Sequence, residues 1–280
     1  WVYFALLLVV YVAAPGLLNH GATEPPSQVA SFLLLPSSAP PLLLVAWTLT
    51  FELYFYLVFA LLIGGTSRHR LGWLLAVWSA LIVAGRLLLP SPRSAPIDLM
   101  FNPLNLEFIA GCAVALWGPR GRPLLGLALA GIGLLGAVLM LRWLGMDAPF
   151  RNIWLRVAVM GGAATVMLAG VVAWENPGVT YVPRPLYRLG DASYSLYLSH
   201  LLTIGAAGLL WRWALRGESG MAAVPAAHVL AVTSSFALSV AVGWVSYRFI
   251  ERRIAAGIKW RAGATRAAPE PASLRVSSVR

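Results

Sequence analysis

Charge is scarce in this sequence. Charged residues make up 11% of its 280 positions, only 10 residues are acidic, and Lys259 is the single lysine among 21 basic residues. An ordinary soluble domain carries roughly 25% charged residues. With 59% hydrophobic residues, a soluble fold of this length cannot hide its apolar surface. A soluble globular enzyme and a disordered chain are therefore both excluded. Cysteine is nearly missing: Cys112 stands alone, which rules out a disulfide scaffold. The four histidines and this cysteine show no metal-ligand spacing, and the glycines form no phosphate-cradling loop. No metal and no permanently bound cofactor are expected. The net charge of +11 lies in loops and tail without a recognition motif, so no nucleic acid is expected as partner.

Long apolar runs dominate instead. A helix needs about 20 residues to cross the hydrocarbon core, and eight runs qualify: 1–18, 43–64, 71–90, 98–117, 123–144, 151–174, 192–213 and 223–247. Connections rich in Pro, Gly and Arg separate them, such as Ser91 to Pro96 and Gly118 to Pro123. Helices satisfy every backbone group within lipid. The expected fold class is therefore all-α, a polytopic bundle in the bilayer over 1–261. A tail over 262–280, rich in Ala, Pro, Ser and Arg, is expected to be disordered. The chain starts at Trp1 without Met and without a basic flank, as expected of a fragment entered at the edge of a helix.

Loop charges set the orientation. If the first run starts in the cytoplasm, that side holds twelve basic residues, from Arg68 and Arg70 to the cluster Arg248–Arg266. The opposite side holds five, and its longest loop (19–42) has none. The positive-inside rule favours this arrangement and puts the C-terminus in the cytoplasm.

Ionisable groups at membrane depth are costly and mark function. Glu52, Glu107 and His200 fall near mid-span, about nine residues or roughly 13 Å from a helix end. Arg86 and Arg156 lie nearer the non-cytoplasmic side, so a polar chamber is expected. Thr48, Glu52 and Tyr56 share one helix face, where hydroxyls can orient a carboxylate. Glu107 follows the helix-start signal of Pro103 and precedes the small residues Gly111 and Ala115. Ser193, Tyr197 and His200 fall within about 60° on a helical wheel, with Asp191 placed as an N-cap. A Ser193–His200 catalytic pair is excluded, because seven residues separate them by about 10 Å. For each mid-span group the plain alternative is an interhelix hydrogen bond.

Several segments together resemble the acyltransferase family 3 membrane proteins. Trp47-Thr-Leu-Thr-Phe-Glu52-Leu-Tyr-Phe-Tyr56 is similar to that family's Trp-Ser/Thr-Leu-x-x-Glu-x-x-Phe-Tyr block. Leu189-Gly-Asp-Ala-Ser-Tyr-Ser-Leu-Tyr-Leu-Ser-His200 resembles its Leu-Gly-x-x-Ser-Tyr-Ser-Leu-Tyr-Leu-x-His block. Ser246-Tyr-Arg-Phe-Ile-Glu-Arg252 resembles the segment closing its last helix, and Asn105-Leu-Glu-Phe-Ile-Ala-Gly111 matches a weaker pattern. The single Glu52, where many members carry Glu-Glu, is most similar to the exopolysaccharide-modifying branch.

The resemblance implies a bundle of ten helices that moves an acyl group from cytoplasmic acyl-CoA to a carbohydrate hydroxyl. Eight helices here imply that two N-terminal ones are missing, and with them the family's proposed catalytic His; His20 is not its equivalent. Glu52 and His200 are then the catalytic candidates. Thr48, Tyr56, Glu107, Ser193 and Tyr197 are expected to meet substrate, and Arg184 and Arg188 to hold the CoA phosphates. The donor implied is acetyl-CoA ahead of succinyl-CoA, and the acceptor a polysaccharide or lipid-linked sugar at the inner (plasma) membrane. A transporter or flippase of an anionic or glycolipid solute is the main alternative, although the chain shows no internal repeat. A scaffold subunit is the second.

Overall fold

A computed structural model describes residues 1–15, 25–64, 67–145, 147–175, 183–214 and 225–257. The expected tail, 262–280, lies outside them. The chain forms two compact units, Trp1–Tyr181 and Val182–Arg280.

The first unit runs through α1 (Val2–Ala13), α2 (Gln28–Leu33), α3 (Ala46–Ile63), α4 (Arg68–Leu88), α5 (Ala95–Met100), α6 (Asn105–Trp117), α7 (Pro123–Leu144), α8 (Ala148–Arg151), α9 (Ile153–Arg156) and α10 (Gly162–Trp174). A π-helical turn, Val157–Gly161, joins α9 to α10. Local signals explain the starts: Ser27, Ser67 and Asn152 cap α2, α4 and α9 through their side-chain oxygens. Helix α2 ends where Leu34 turns left-handed, at φ 53°. Ser31 Oγ then accepts from Leu42 N at 2.9 Å and folds the following segment back. Helices α5 and α6 form one span interrupted at 101–104. There the wholly buried Asn105 donates through Nδ2 to Leu99 O at 2.8 Å and holds the break together.

Phe55 of α3 organises the core. Its ring stacks on Trp78 of α4 at 5.9 Å and on Phe108 of α6 at 4.8 Å, with Leu71, Leu75, Ile82 and Ile109 around them. Helices α7 and α10 pack through small residues: a methyl at Gly126 would lie 2.6 Å from Gly170 O. Such close approach gives helices in lipid a contact that apolar bulk does not.

In the second unit α11 (Arg184–Asp191) leads into α12 (Ser193–Ala214), which packs along α13 (Pro225–Ser246). A second π-helical turn follows, Tyr247–Glu251. Asp191 closes α11 and does not cap α12 as its sequence position suggested. The apolar outer surface identifies the solvent. Leu61, Leu88 and Leu124 are 84%, 81% and 82% exposed, which lipid tolerates and water does not.

Among the described residues six helices are long and apolar enough to cross a membrane: Ala46–Ile63, Arg68–Leu88, Ala95–Trp117, Pro123–Leu144, Ile153–Trp174 and Ala226–Gly257. The all-α polytopic class stands. Of the eight runs read from the sequence, the first forms a helix of only 12 residues, Val2–Ala13. The seventh forms the 22-residue α12, whose Ser, Thr, His and Arg side chains dilute its hydropathy.

Candidate active site

Glu107 enters the first turn of α6 just after the break, where the helix dipole favours a negative charge. Its carboxylate fills the space left by Gly161, the last residue of the π-helical turn. A methyl there would lie 2.8 Å from Glu107 Cγ and 2.9 Å from Oε1. Arg156 stands immediately before that turn. Its guanidinium lies 5.3 Å above the indole of Trp47 at the start of α3. Three spans thus contribute a half-buried carboxylate, a half-buried cation and an aromatic face. A π-helical turn, rare and frequent at functional sites, shifts the register so that Arg156 and Gly161 both face this cluster. Glu107 also borders a cavity of about 510 Å³ walled by Phe55, Phe108, Gly111, Cys112, Ala115 and Leu168. This is a mostly apolar, open groove with one carboxylate in its lining.

On α3, Tyr56 donates its hydroxyl to Glu52 Oε1 at 2.5 Å, as the i, i+4 spacing predicts. Thr48 donates to its own helix, to Val45 O at 2.9 Å. Glu52 lines neither the Glu107 cavity nor the second cavity of this unit described below. Its helix nonetheless meets that of Glu107 through the Phe55–Phe108 stack.

Within the second unit, His200 Nδ1 lies 2.6 Å from Tyr197 O. A carbonyl only accepts, so Nδ1 carries the proton. Tyr197 and His200 are brought together, whereas Ser193 is exposed at the helix start. The buried polar stripe of α12 is a neighbouring one, Ser195, Ser199, Thr203 and Ala207. These small groups let α13 approach, and Thr203 satisfies its hydroxyl on Ser199 O at 3.0 Å. At its head Ser195 donates to Glu251 Oε2 at 2.6 Å, and Glu251 closes the second π-helical turn. Arg184 and Arg188 are exposed on one face of α11.

Sequence reasoning missed Trp47 as the partner of Arg156, and it missed Gly161, Ser195 and Glu251. The signal for Ser195 was the four-residue spacing of small residues. That for Glu251 was an acid inside an apolar block that resembled the family's last helix. Nothing in the sequence marks a π-helical turn. Among the described residues no three His, Cys, Asp or Glu side chains come together to hold a metal.

Residues 1–248 match the family described as acyltransferase domain. The chain is also 30% identical over 260 residues to the exopolysaccharide production protein ExoZ of Rhizobium meliloti (strain 1021), covering 84% of this chain and 73% of that one. No solved structure matches.

Proposed function

We infer the function from one premise: this chain belongs to the acyltransferase domain family, and it is an acyltransferase built from membrane-crossing helices. The proposal is that it transfers an acetyl or other short acyl group from acyl-CoA to a hydroxyl of an exported or cell-surface polysaccharide. The likeness to a protein of exopolysaccharide production supports the acceptor class. The observation that carries the reading is Glu107 fitted against Gly161 in the lining of an open apolar groove, with Arg156 at the start of the same π-helical turn. The groove suits a short acyl chain, and a guanidinium on the neighbouring turn suits the oxygen that gains charge when a thioester is attacked.

In the reaction the sugar hydroxyl oxygen bonds to the thioester carbonyl carbon and its proton passes to a base. The carbon–sulfur bond then breaks and CoA leaves as a thiolate that takes up a proton. Two side chains are oriented for the base role: Glu52, held by Tyr56, and His200, whose Nδ1–H is held by Tyr197 O. Thr48, Tyr56, Ser193 and Tyr197 are proposed as substrate contacts. Arg184 and Arg188, one turn apart, are proposed to hold the CoA phosphates. The protein sits in the inner (plasma) membrane with a cytoplasmic C-terminus, on the loop-charge argument.

The test is transfer of label from acetyl-CoA or succinyl-CoA to the host's surface polysaccharide by membranes holding the protein. Transfer that Glu52→Gln or His200→Asn abolishes in folded protein supports the proposal. Solute movement without transfer would replace it with a transporter.

A further inference from the structure

A second cavity in the first unit, of about 390 Å³, lies where α3 begins, α4 has ended and α5 begins. Its volume falls among small-molecule sites, about 300–1,000 Å³. Trp47, Thr50 and Phe51 of α3 form one wall, with the Phe51 ring set edge-on to Trp47 at 5.8 Å. Arg93 and Asp98 form another, and the folded-back segment after α2 covers them, with Ser38 at its exposed rim.

The polar groups here are fixed by protein but not saturated. Arg93 Nη2 donates to Arg86 O at 2.8 Å and Leu89 O at 2.5 Å, which ties the guanidinium to the end of α4. The Arg93 side chain lines the cavity and is only part-buried, and a guanidinium carries five donors, more than these two carbonyls use. Asp98 Oδ1 accepts from Arg86 Nη1 at 2.5 Å and Oδ2 accepts from Asn102 Nδ2 at 3.4 Å. A carboxylate has about four acceptor positions, so Asp98 retains capacity for hydroxyl donors.

We propose that this cavity binds a sugar ring of the acceptor, with sugar oxygens on the Arg93 guanidinium, hydroxyls on Asp98 and an apolar face against Trp47 and Phe51. This rests on the acyl-transfer reading above. A sugar is the ligand that presents donors, acceptors and a flat apolar face together. An acyl chain would bring no polar group to Arg93 and Asp98. A polyphosphate would need more cations than Arg93, since Asp98 offsets Arg86. Trp47 also stands between the two sites: it lines this cavity and carries Arg156, which precedes the turn that ends at Gly161 beside Glu107. A ring held against Trp47 therefore lies one indole away from Arg156.

The experiment measures initial rates with the full chain in nanodiscs. The acceptor is an oligosaccharide digest of the host's surface polysaccharide, and the donor is labelled acetyl-CoA or succinyl-CoA. Arg93→Lys and Asp98→Asn should each raise the acceptor KM about tenfold, the scale of one lost hydrogen bond to a charged group. The KM for the CoA donor should stay within about twofold of wild type. Both residues also hold the α4–α5 connection, so Ser38→Trp, an exposed rim position, serves as the variant that blocks the cavity without disturbing that network. It should raise the acceptor KM with an unchanged unfolding midpoint. Wild-type transfer with acceptor KM unaltered in Ser38→Trp and in the folded point variants overturns the sugar site alone. A wild-type protein that transfers nothing from either donor overturns the acyl-transfer reading and this site with it.

Discussion

Glu107 and Gly161 share one space: the carboxyl group of the first occupies the volume that a side chain on the second would require, with Cγ 2.8 Å from the position of a methyl. The absence of a side chain in one span thus sets where the charge of another comes to rest. Gly161→Ala should push the Glu107 carboxylate away from Arg156. A displacement of about 1 Å near reacting groups costs up to roughly 100-fold in rate. Overpacking by one methyl costs about 1–3 kcal/mol. Transfer should fall at least about tenfold, while the unfolding midpoint in detergent shifts by only a few degrees. An unfolding shift without loss of transfer would make the contact structural.

Glu107 and Arg156 should prove energetically coupled. Glu107→Gln, Arg156→Gln and the double variant form a cycle whose interaction term, read from thermal unfolding, is expected at about 0.5–3 kcal/mol. Arg156→Lys should not restore wild-type behaviour, because a point charge stacks poorly on the Trp47 indole compared with a planar guanidinium. Additive effects within error would mean that the pair does not interact.

Glu52→Gln should reduce transfer by about 100-fold or more, the scale of a lost general base. Tyr56→Phe removes the hydroxyl that Glu52 accepts from and should cost about tenfold with little change in stability. Equal losses in both variants would point to Tyr56 as the group that meets substrate. Rate measurements at saturating donor separate the outcomes.

The Ser195–Glu251 contact is expected to hold the second unit together. Ser195→Ala leaves the Glu251 carboxylate without that donor and should destabilise by about 1–3 kcal/mol. Glu251→Gln keeps an acceptor oxygen and should cost less. Unfolding in detergent, followed by the fluorescence of Trp211 and Trp244, reports the order.

Much of this was legible before any coordinates. The run lengths and missing charge led to an all-helical membrane bundle, because lipid leaves the backbone no other open-chain arrangement. The pairing of Tyr56 with Glu52 followed from a spacing of four, a rule local to one helix. The polar stripe legible on α12, Ser193, Tyr197 and His200, is distinct from the buried one, Ser195, Ser199 and Thr203, which lies about a third of a turn away. Polarity attracted attention to the larger side chains, whereas helix packing in lipid selects the small ones.

Sequence alone determined the solvent of this protein and the helices that meet it, since hydropathy and i, i+4 neighbours are properties of a single segment. Which charges meet was decided by tertiary structure. Arg156 lies over Trp47, more than a hundred residues away, and Gly161 at the end of the π-helical turn after it receives Glu107, some fifty residues away. A one-residue shift of helical register rotates a side chain by about 100°. No local pattern encodes that rotation, so only the packed spans reveal which face each charge presents.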